Sequence, residues 1–418
     1  MNPKLPTVVI IGAGFGGISV AKYFRKKPVN VLLIDQNNYH NFQPLMYQIA
    51  TGGLEPYSIA YPVRRIFRNS RNVHFRMAQV TRVNPQVKQL ETSIGTISYD
   101  YLVIATGSQN NYFNFEPIKD KLLTLKSIPD ALNIRNFMYQ NLEKALSNET
   151  QDLEEVLNIA IVGGGPAGIE LAGALAEMKR YVIPKDFPDL DVSKMNIHLY
   201  EAGAELLGAM SPDASENTLV YLQQMGVKVF LNTRVASYDG KALMLPNNTP
   251  FVTDTVIWTA GVKGAPIEGL PKDSIVGGNR ISVNPFNQVL NAQDIFAIGD
   301  VAACISEENP RGLPMLAPVA QQQGKHLAKN ILAKTKGKGF VPFDYKDRGT
   351  MATIGRRKAV VDLPKWKFHG TFAWMVWMFV HIMSLVGFRN KFVAFLGWMT
   401  SYFTYDKPLG LIIRPFKR

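Results

Sequence analysis

Short apolar runs rich in β-branched residues recur along most of the chain, and several of them end at glycines. The first run, Thr7–Ile11, leads into the turn Gly12–Gly17, and the next apolar run, Val29–Ile34, ends at Asp35. Continuous apolar runs of this length predict buried parallel strands, and the turn between them predicts the start of a helix. This order of elements predicts a dinucleotide site, in which glycines approach a pyrophosphate and the acid contacts a ribose.

The same order of elements appears a second time. The run Asn158–Val162 leads into Gly163–Gly168, and the run Met195–Tyr200 ends at Glu201. The gap before this acid is longer than usual, and we assign the extra length to a loop at Pro184–Val192. An acid at this position favours a free 2′-hydroxyl, and therefore NAD over NADP. Two such units in one chain predict two bound dinucleotides.

Three further apolar runs follow, of which the first two end at a small residue and a glycine, where backbone must pass close to another group, and the third ends at Gly-Asp. They lie at Tyr101–Gly107, Thr255–Gly261 and Asp294–Asp300. The first two are equivalent in the two units, as expected if both bind a dinucleotide at the ends of parallel strands. In the third, Asp300 could hydrogen-bond a polyol.

Other segments give weaker patterns. Apolar spacing predicts a helix over 128–146, and short alternating runs predict a small antiparallel piece over 73–100. Residues 39–53 combine aromatics, amides and paired glycines, which indicates a loop, either over a flat ring or simply packed. His40 in this loop could be a base, but we interpret it as a hydrogen-bonded loop histidine.

Glu170 follows the second glycine turn, in the first turn of the predicted helix. A carboxylate there could simply stabilise the helix dipole, by about 0.3–1 kcal/mol. Alternatively it lies near the reacting rings, where burial would raise its pKa and suit it to proton transfer. Spacing alone leaves both readings open.

Composition narrows the classes of protein. The chain has 418 residues, of which 46% are hydrophobic and 19% charged, so a folded protein of two or three domains is expected. Cys304 is the only cysteine, which excludes an intrachain disulfide, a dithiol redox pair and a cysteine zinc site, and no metal site is expected. The N-terminus lacks a signal-peptide pattern, so we expect a cytoplasmic chain.

The net charge of +13 is concentrated in one part of the chain. From Lys336 onward there are 15 Lys and Arg against four Asp, together with four of the five tryptophans. Basic residues mixed with Trp, Phe and Met favour an anionic membrane surface over nucleic acid. The salt dependence of binding to DNA and to anionic vesicles would separate the two.

The C-terminal segment holds two apolar stretches. Residues 371–388 are a borderline transmembrane candidate by length, whereas residues 391–405 predict an amphipathic helix in the membrane interface. Core packing or a dimer interface is the alternative for both. The apolar face predicted for the second stretch consists of Phe392, Phe395, Leu396, Met399, Tyr402 and Phe403. The cations placed to contact anionic lipid are Arg389, Lys391, Lys407, Arg414, Lys417 and Arg418.

With these motifs assembled, the chain resembles the two-dinucleotide flavoprotein reductases, and within them the type II NADH dehydrogenases. The narrower resemblance rests on Phe42–Gly52, on Met351–Arg356 and on the Trp-rich basic tail. Disulfide reductases, thiol-based NADH oxidases and sulfide:quinone reductases need redox cysteines, which a single Cys304 cannot supply.

The resemblance implies a set of site residues. For non-covalent FAD they are Gly12, Gly14, Phe15, Gly16, Gly17, Asp35, Gln36, Gln43, Pro44, Val80, Ala105, Thr106, Gly107, Gly299, Asp300, Ala317 and Val319. For the substrate NADH they are Gly163, Gly165, Pro166, Ala167, Gly168, Glu170, Glu201, Ala260 and Gly261. For a quinone they are Pro318, Gln322 and Ile354, with Glu170 and Gln322 as catalytic residues.

One departure from the family pattern concerns the quinone-side helix. The family usually has Ala-Gln-x-Ala-x-Gln, but this chain has proline at position 318, where the first glutamine is expected. Proline lacks an N–H donor and fixes its φ angle, so a hydrogen bond from this position to a quinone is lost. Proline is nevertheless a suitable first-turn residue, which keeps the helix. Gln322 is retained.

The fold class implied is α/β, with two doubly wound (Rossmann-like) dinucleotide-binding domains, the second inserted in the first, and a C-terminal membrane-anchoring module with amphipathic helices. The expected domain bounds are 1–155 with 285–335 for FAD, 156–284 for NAD, and 336–418 for membrane association and dimerisation.

The activity implied is respiratory NADH:quinone oxidoreduction. A hydride passes from NADH to FAD, and a membrane quinone such as ubiquinone is then reduced without proton pumping. The resemblance implies a homodimer bound peripherally to the cytoplasmic face of the cell membrane. The alternatives are a soluble reductase of a small iron–sulfur carrier and a flavin-bound redox sensor with negligible turnover.

Overall fold

Parallel sheets form around both predicted glycine turns. The computed structural model describes residues 2–147, 153–404, 410–412 and 416. The chain divides into two compact units, the first comprising Met1–His40, Tyr61–Gln109 and Val262–Asp347, and the second comprising Asn41–Ala60, Asn110–Gly261 and Arg348–Arg418. These bounds differ from the expected domain bounds, which stay a prediction.

The described residues of the first unit form twelve strands and three α-helices, numbered along the whole chain. Its strands are β1 (Thr7–Ile11), β2 (Asn30–Asp35), β5 (Val73–Met77), β6 (Val80–Asn84), β7 (Gln89–Thr92), β8 (Gly95–Ser98), β9 (Tyr101–Ile104), β19 (Val262–Gly264), β20 (Ile275–Val276), β21 (Arg280–Val283), β22 (Ile295–Ala297) and β23 (Ala302–Cys304). Its helices are α1 (Phe15–Phe24), α4 (Val63–Ile66) and α10 (Ala317–Lys334). Three short strands lie where the chain passes between the units: β3 (Tyr39–Asn41), β4 (Ala60–Pro62) and β10 (Ser108–Asn110).

A five-stranded parallel sheet in the order β22-β9-β1-β2-β5 is the centre of this unit. Its register pairs Val9 with Leu32 on one side and with Leu102 on the other. Alternate residues of β1 belong to separate buried clusters on the two faces, as expected for a sheet covered on both sides. The carboxyl ends of β1, β9 and β22 therefore meet at one edge.

The second unit repeats this plan and adds a C-terminal sheet and helices. Its strands are β11 (Leu123–Thr124), β12 (Ile159–Val162), β13 (Ile197–Tyr200), β14 (Lys228–Phe230), β15 (Ser237–Tyr238), β16 (Ala242–Met244), β17 (Pro250–Val252), β18 (Thr255–Trp258), β24 (Thr350–Gly355), β25 (Lys358–Leu363) and β26 (Trp366–His369). Its helices are α2 (Met46–Ala50), α3 (Pro56–Ile59), α5 (Ile128–Leu146), α6 (Leu153–Leu157), α7 (Pro166–Tyr181), α8 (Ile183–Asp186), α9 (Pro212–Gln224), α11 (Thr371–Ser384) and α12 (Phe388–Thr404). The parallel sheet has the order β11-β18-β12-β13-β14.

The antiparallel sheet β24-β25-β26 packs against α7 at very short range. A Cβ atom added to Gly173 of α7 would lie 1.6 Å from the backbone oxygen of Ile354 in β24. Only glycine allows this approach. The approach brings the preceding turn of α7, with Glu170, against Thr353.

Several local predictions are confirmed. The helix predicted over 128–146 is α5, which begins after a capping box between Ser127 and Asp130. The loop predicted before Glu201 contains the short helix α8 and a 3₁₀ turn at Val192–Lys194. Pro318 lies in the first turn of α10, as expected for proline.

Three local predictions need correction. Only β6, β7 and β8 of the 73–100 region are antiparallel, because β5 joins the parallel sheet. Residues 39–53 contain strand β3, a 3₁₀ turn at Gln43–Leu45 and helix α2 rather than a plain loop. Glu170 is the fifth residue of α7, beyond its first turn.

The C-terminal apolar stretches form two separate helices, α11 and α12, and among the described residues no helix is both long and apolar enough to cross a membrane. The break falls after Ser384, because Leu385 is extended and Gly387 has a φ of 88°. On α12, the side chains of Phe392, Phe395, Leu396 and Met399 are exposed. Lys407, Arg414, Lys417 and Arg418 lie outside the described residues, as do the side chains of Arg389, Tyr402 and Phe403.

Candidate active site

The first glycine turn leaves an open space at one position and close contacts on either side of it. Gly12 has a φ of 102°, and a Cβ added there would lie 2.2 Å from the backbone oxygen of Ala105. A Cβ on Gly17 would lie 1.9 Å from the oxygen of Gly12, which fixes α1 against the turn. A Cβ on Gly14, by contrast, would meet no atom within 4 Å. The space in front of Gly14, at the N-terminus of α1, suits a pyrophosphate.

Two side chains hold Ala13, the second residue of this turn. Asp35, at the end of β2, accepts hydrogen bonds from the N–H groups of Ala13 and Asn37, both at 2.7 Å. Burial raises the pKa of Asp35, and these two donors oppose that rise. His40 contacts the oxygen of Ala13 through Nδ1 at 2.8 Å, and its ring lies edge-on to Phe15. His40 is therefore the hydrogen-bonded histidine that the sequence favoured.

The ends of β9 and β22 complete this edge of the sheet. Gly107 and Gly299 both have a φ of 72°. Asp300 accepts a hydrogen bond from the Ser108 hydroxyl at 2.5 Å, so its carboxylate faces the end of β9. The Gly299 N–H donates to the side-chain oxygen of the buried Gln323 at 2.7 Å, which ties this turn to α10.

This arrangement fits the FAD predicted from the sequence. Gly14 and Gly107 both leave space that a side chain would fill, and acids follow β2 and β22. Of the other predicted FAD residues in the first unit, Val80 is half-buried in β6, Gln36 is exposed, and Val319 is buried in α10. Gln43 and Pro44 lie in the second unit, in the 3₁₀ turn before α2.

The second glycine turn reproduces the first. Gly163 has a φ of 114°, and a Cβ added there would lie 2.6 Å from the Cα of Ala260. A Cβ on Gly168 would lie 2.0 Å from the oxygen of Gly163, whereas Gly165 faces open space. Pro166 and Ala167, the first residues of α7, are exposed. The predicted NADH pyrophosphate position is thus accessible.

Glu201 has the role in this turn that Asp35 has in the first. Its two carboxylate oxygens accept the N–H groups of Gly164 and Gly203, both at 2.6 Å. A cleft of about 410 Å³ opens here, and its lining consists of Gly164, Gly165, Glu201, Gly203, Ala204, Glu205 and Gly208. Two carboxylates in this cleft favour a free ribose hydroxyl over a phosphate, as expected for NADH.

A second cavity, of about 110 Å³, lies elsewhere in the second unit, between α7, β24 and the C-terminal helices. Its lining combines aromatic rings with a few polar groups. The lining residues are Tyr47, Gln48, Thr51, Gly53, Glu170, Ala174, Glu177, Tyr181, Val182, Thr353, Ile354, Gly355, Arg356, Trp374, Trp377, Met378 and Trp398.

Glu170 is the buried acid of this cavity, and its side chain is 7% exposed. Burial raises its pKa well above the usual value, although a hydrogen bond from the Thr353 N–H acts in the opposite direction. The second acid of the cavity, Glu177, accepts the Arg356 N–H at 2.5 Å. Burial thus favours the protonated form of Glu170, which the helix-dipole interpretation does not require.

The predicted quinone residues are distributed over both units. Ile354 lines the cavity with Glu170 in the second unit. Pro318 and Gln322 lie on α10 in the first unit. The Gln322 side chain donates to the Lys346 oxygen at 2.9 Å and accepts the Lys346 N–H at 3.2 Å.

Sequence reasoning missed several residues of this cavity. Tyr47 and Gln48 lie inside the Phe42–Gly52 motif that carries the family resemblance, and the motif alone predicts no role for them. From sequence, Trp377 and Trp398 are predicted only as parts of the membrane segment. The amide and aromatic residues clustered in 39–53 are the sequence feature that could have indicated these cavity residues.

Comparison with known proteins identifies the family of the chain. Residues 6–324 match the family model for pyridine nucleotide-disulphide oxidoreductases, and residues 348–405 match that for the NDH2 C-terminal domain. The chain is 31% identical over 416 residues to the type II NADH:quinone oxidoreductase Ndh of Mycobacterium tuberculosis, covering 96% of this chain and 89% of that protein. The chain belongs to the type II NADH:quinone oxidoreductases.

Other relatives agree with this assignment. The type II NADH:quinone oxidoreductase of Haemophilus influenzae is 31% identical over 394 residues, covering 86% of this chain and 87% of that one. The structure of Plasmodium falciparum NDH2 in complex with NADH superimposes with a TM-score of 0.89 at 20% identity, covering 97% of this chain and all of that one. That similarity shows the fold. Family membership confirms the predicted family, the two-dinucleotide α/β fold and the FAD-dependent, NADH-using class of enzyme.

Proposed function

We propose that this type II NADH:quinone oxidoreductase binds NADH at the second glycine turn and quinone in the cavity around Glu170. The first glycine turn, with Asp35 and Asp300, would hold FAD, which would supply the hydride and electron chemistry between NADH and quinone. The chain's own residues bind the two dinucleotides, exclude water from the cavity and hold a proton. The family membership supports this reaction over reduction of a small iron–sulfur carrier or a sensor without turnover.

The observation that carries the quinone assignment is a buried acid in a cavity lined largely by aromatic and apolar side chains. A quinone must gain two protons as it gains two electrons, and its ring needs flat apolar walls. Glu170 is buried beside Ile354, and Trp374 and Trp377 contribute to the same cavity. Because burial favours the protonated form of Glu170, this residue can donate one of these protons.

We also propose contacts for the two dinucleotides. Asp35 and Asp300 would hydrogen-bond hydroxyls of FAD, and Glu201 those of the NADH ribose. Gln322 stays a predicted quinone residue, and its side chain makes two hydrogen bonds to Lys346. Pro318 lacks an N–H donor.

Glu170→Gln tests the role of the acid. The variant keeps the size of the side chain and removes the transferable proton, so we expect quinone-dependent turnover to fall by roughly 10²-fold. Reduction of the bound flavin by NADH should keep its rate, because that step needs no proton from this cavity. Stopped-flow absorbance of the two half-reactions measures both.

Glu216→Gln is the matched control, because Glu216 is exposed on α9. It should leave both half-reactions unchanged. If Glu170→Gln retained the wild-type rate and pH profile of quinone reduction, Glu170 would be only a structural residue and the proposal would be wrong.

We further propose peripheral binding to the cytoplasmic face of an anionic membrane, and homodimerisation, through the C-terminal module. Exposed apolar side chains on α11 and α12 support a lipid surface. On α11 these are Phe372, Met375, Phe379, Val380 and Met383. Side chains of this kind insert into the boundary between headgroups and acyl chains.

A further inference from the structure

A chain of two hydrogen bonds joins helix α12 to the cavity. The indole Nε1 of Trp398 donates to the side-chain oxygen of Gln48 at 2.6 Å. The side-chain nitrogen of Gln48 in turn donates to the Tyr47 hydroxyl at 2.9 Å. All three residues line the cavity that holds Glu170.

The chemistry of these groups fixes the direction of both bonds. An indole N–H can only donate, so the Gln48 atom that faces Trp398 must be the oxygen. The NH₂ group of Gln48 therefore faces Tyr47, and because it too can only donate, the Tyr47 oxygen must accept. The hydroxyl proton of Tyr47 is thereby left to point elsewhere.

No group in the described part of the chain accepts a hydrogen bond from the Tyr47 hydroxyl. Tyr47 is 6% exposed, so bulk water does not serve it either. Burial raises its pKa well above the usual value, so the hydroxyl keeps its proton. Tyr47 is thus a protonated donor at the edge of a cavity proposed to hold a quinone.

Further contacts of helix α12 hold Trp398 beside Gln48. Asn390, in its first turn, donates from Nδ2 to the backbone oxygens of Tyr57 and Ala60, both at 3.1 Å. The Trp398 ring packs against the Trp377 ring, with centroids 5.6 Å apart. Trp377 itself is only 1% exposed.

We propose that Trp398 is a positioning residue for quinone reduction, which acts through Gln48 to hold the Tyr47 hydroxyl as a hydrogen-bond donor to the quinone. This inference rests on the assignment of the cavity to quinone. Without the indole N–H, the Gln48 side chain can turn over, and the Tyr47 proton then bonds to the Gln48 oxygen instead of the quinone.

A double-mutant cycle with Trp398→Phe and Tyr47→Phe tests this coupling in the FAD-loaded enzyme. Each single variant should lower kcat/KM for a short-chain ubiquinone by roughly 3- to 10-fold, the value of one hydrogen bond. The double variant should be no slower than Tyr47→Phe alone. The rate of flavin reduction by NADH, the flavin content and the melting temperature should match those of the wild type.

Trp366→Phe is the matched control, because Trp366 is 56% exposed on β26 and lies outside the cavity lining. It should leave kcat/KM for quinone unchanged. The proposal would be wrong if the two losses in kcat/KM multiplied in the double variant. It would also be wrong if Trp398→Phe alone caused no loss. If Glu170→Gln and Tyr47→Phe both left quinone kinetics unchanged, the assignment of the cavity itself would be wrong.

Discussion

At the scale of single residues, burial decides which titratable groups can do chemistry. Glu170 and Asp35 are both carboxylic acids at the edge of a glycine turn or its helix, and burial raises the pKa of each. Asp35 has two N–H donors that favour its charged form, whereas Glu170 has one. Asp35 is therefore suited to accept hydrogen bonds from a ribose, and Glu170 to hold a proton.

His40 gives a pH dependence of stability with a defined sign. Burial lowers its pKa from 6.5 to about 4, so the unfolded chain binds a proton that the folded chain does not. The contribution of His40 to the free energy of unfolding is fully present above pH 6.5. It is lost as the pH falls toward 4, and the loss reaches about 3 kcal/mol at pH 4. We expect His40→Gln to lose less stability than the wild type over this range.

Urea unfolding at pH 6.5 and pH 4 measures this difference. His198 and His381 also have pKa values lowered to about 4, so the wild type should lose stability beyond the His40 contribution. An equal loss in His40→Gln and the wild type would show that His40 is not buried in its neutral form.

At the scale of elements, different glycines of the same turn serve the ligand and the fold. Some face open space that a ligand can fill, and others are in close backbone contact. Gly14→Leu should place its side chain in the open space before α1, so we expect a folded protein that loses FAD. Gly12→Ala should instead destabilise the fold, because its Cβ would lie 2.2 Å from the Ala105 oxygen and its φ is 102°.

Flavin absorbance after gel filtration and the melting temperature of the apoprotein distinguish the two variants. Gly14→Leu should have little flavin and a melting temperature close to that of the wild-type apoprotein, whereas Gly12→Ala should melt lower. Full flavin content in Gly14→Leu would mean that the pyrophosphate does not lie at this turn.

The sequence predicted these turns well because glycine spacing and apolar runs are local signals. Strands β1 and β12, the acids Asp35 and Glu201 and helix α5 all follow from residues within one element or its neighbour. The cavity around Glu170 was not predictable in this way. It depends on Gly173 bringing α7 against β24, and on Trp398 reaching Gln48, contacts between residues far apart in the chain.

At the scale of the whole molecule, the basic and aromatic C-terminal segment predicts membrane affinity. Phe379 is 67% exposed on α11. Phe379→Asp should weaken binding to anionic vesicles by roughly tenfold or more, because a buried phenylalanine contributes about 1.5–3 kcal/mol. Activity with a short-chain quinone in detergent should be retained, since Phe379 does not line the cavity.

Ile94→Asp is the control of equal charge, because Ile94 is 54% exposed in the turn between β7 and β8. Vesicle sedimentation should show wild-type binding for this control. Equal weakening by both variants would indicate a general charge effect and contradict an interface formed by α11.

The central claim is that one enzyme takes electrons from NADH and gives them to a quinone. Sequential-mixing stopped-flow absorbance tests it most directly: the FAD-loaded protein is first reduced with one equivalent of NADH and then mixed with short-chain ubiquinone or with a small iron–sulfur protein. We expect rapid return of the oxidised flavin spectrum with quinone and none on that timescale with the iron–sulfur protein. Reoxidation by the iron–sulfur protein alone would contradict the account.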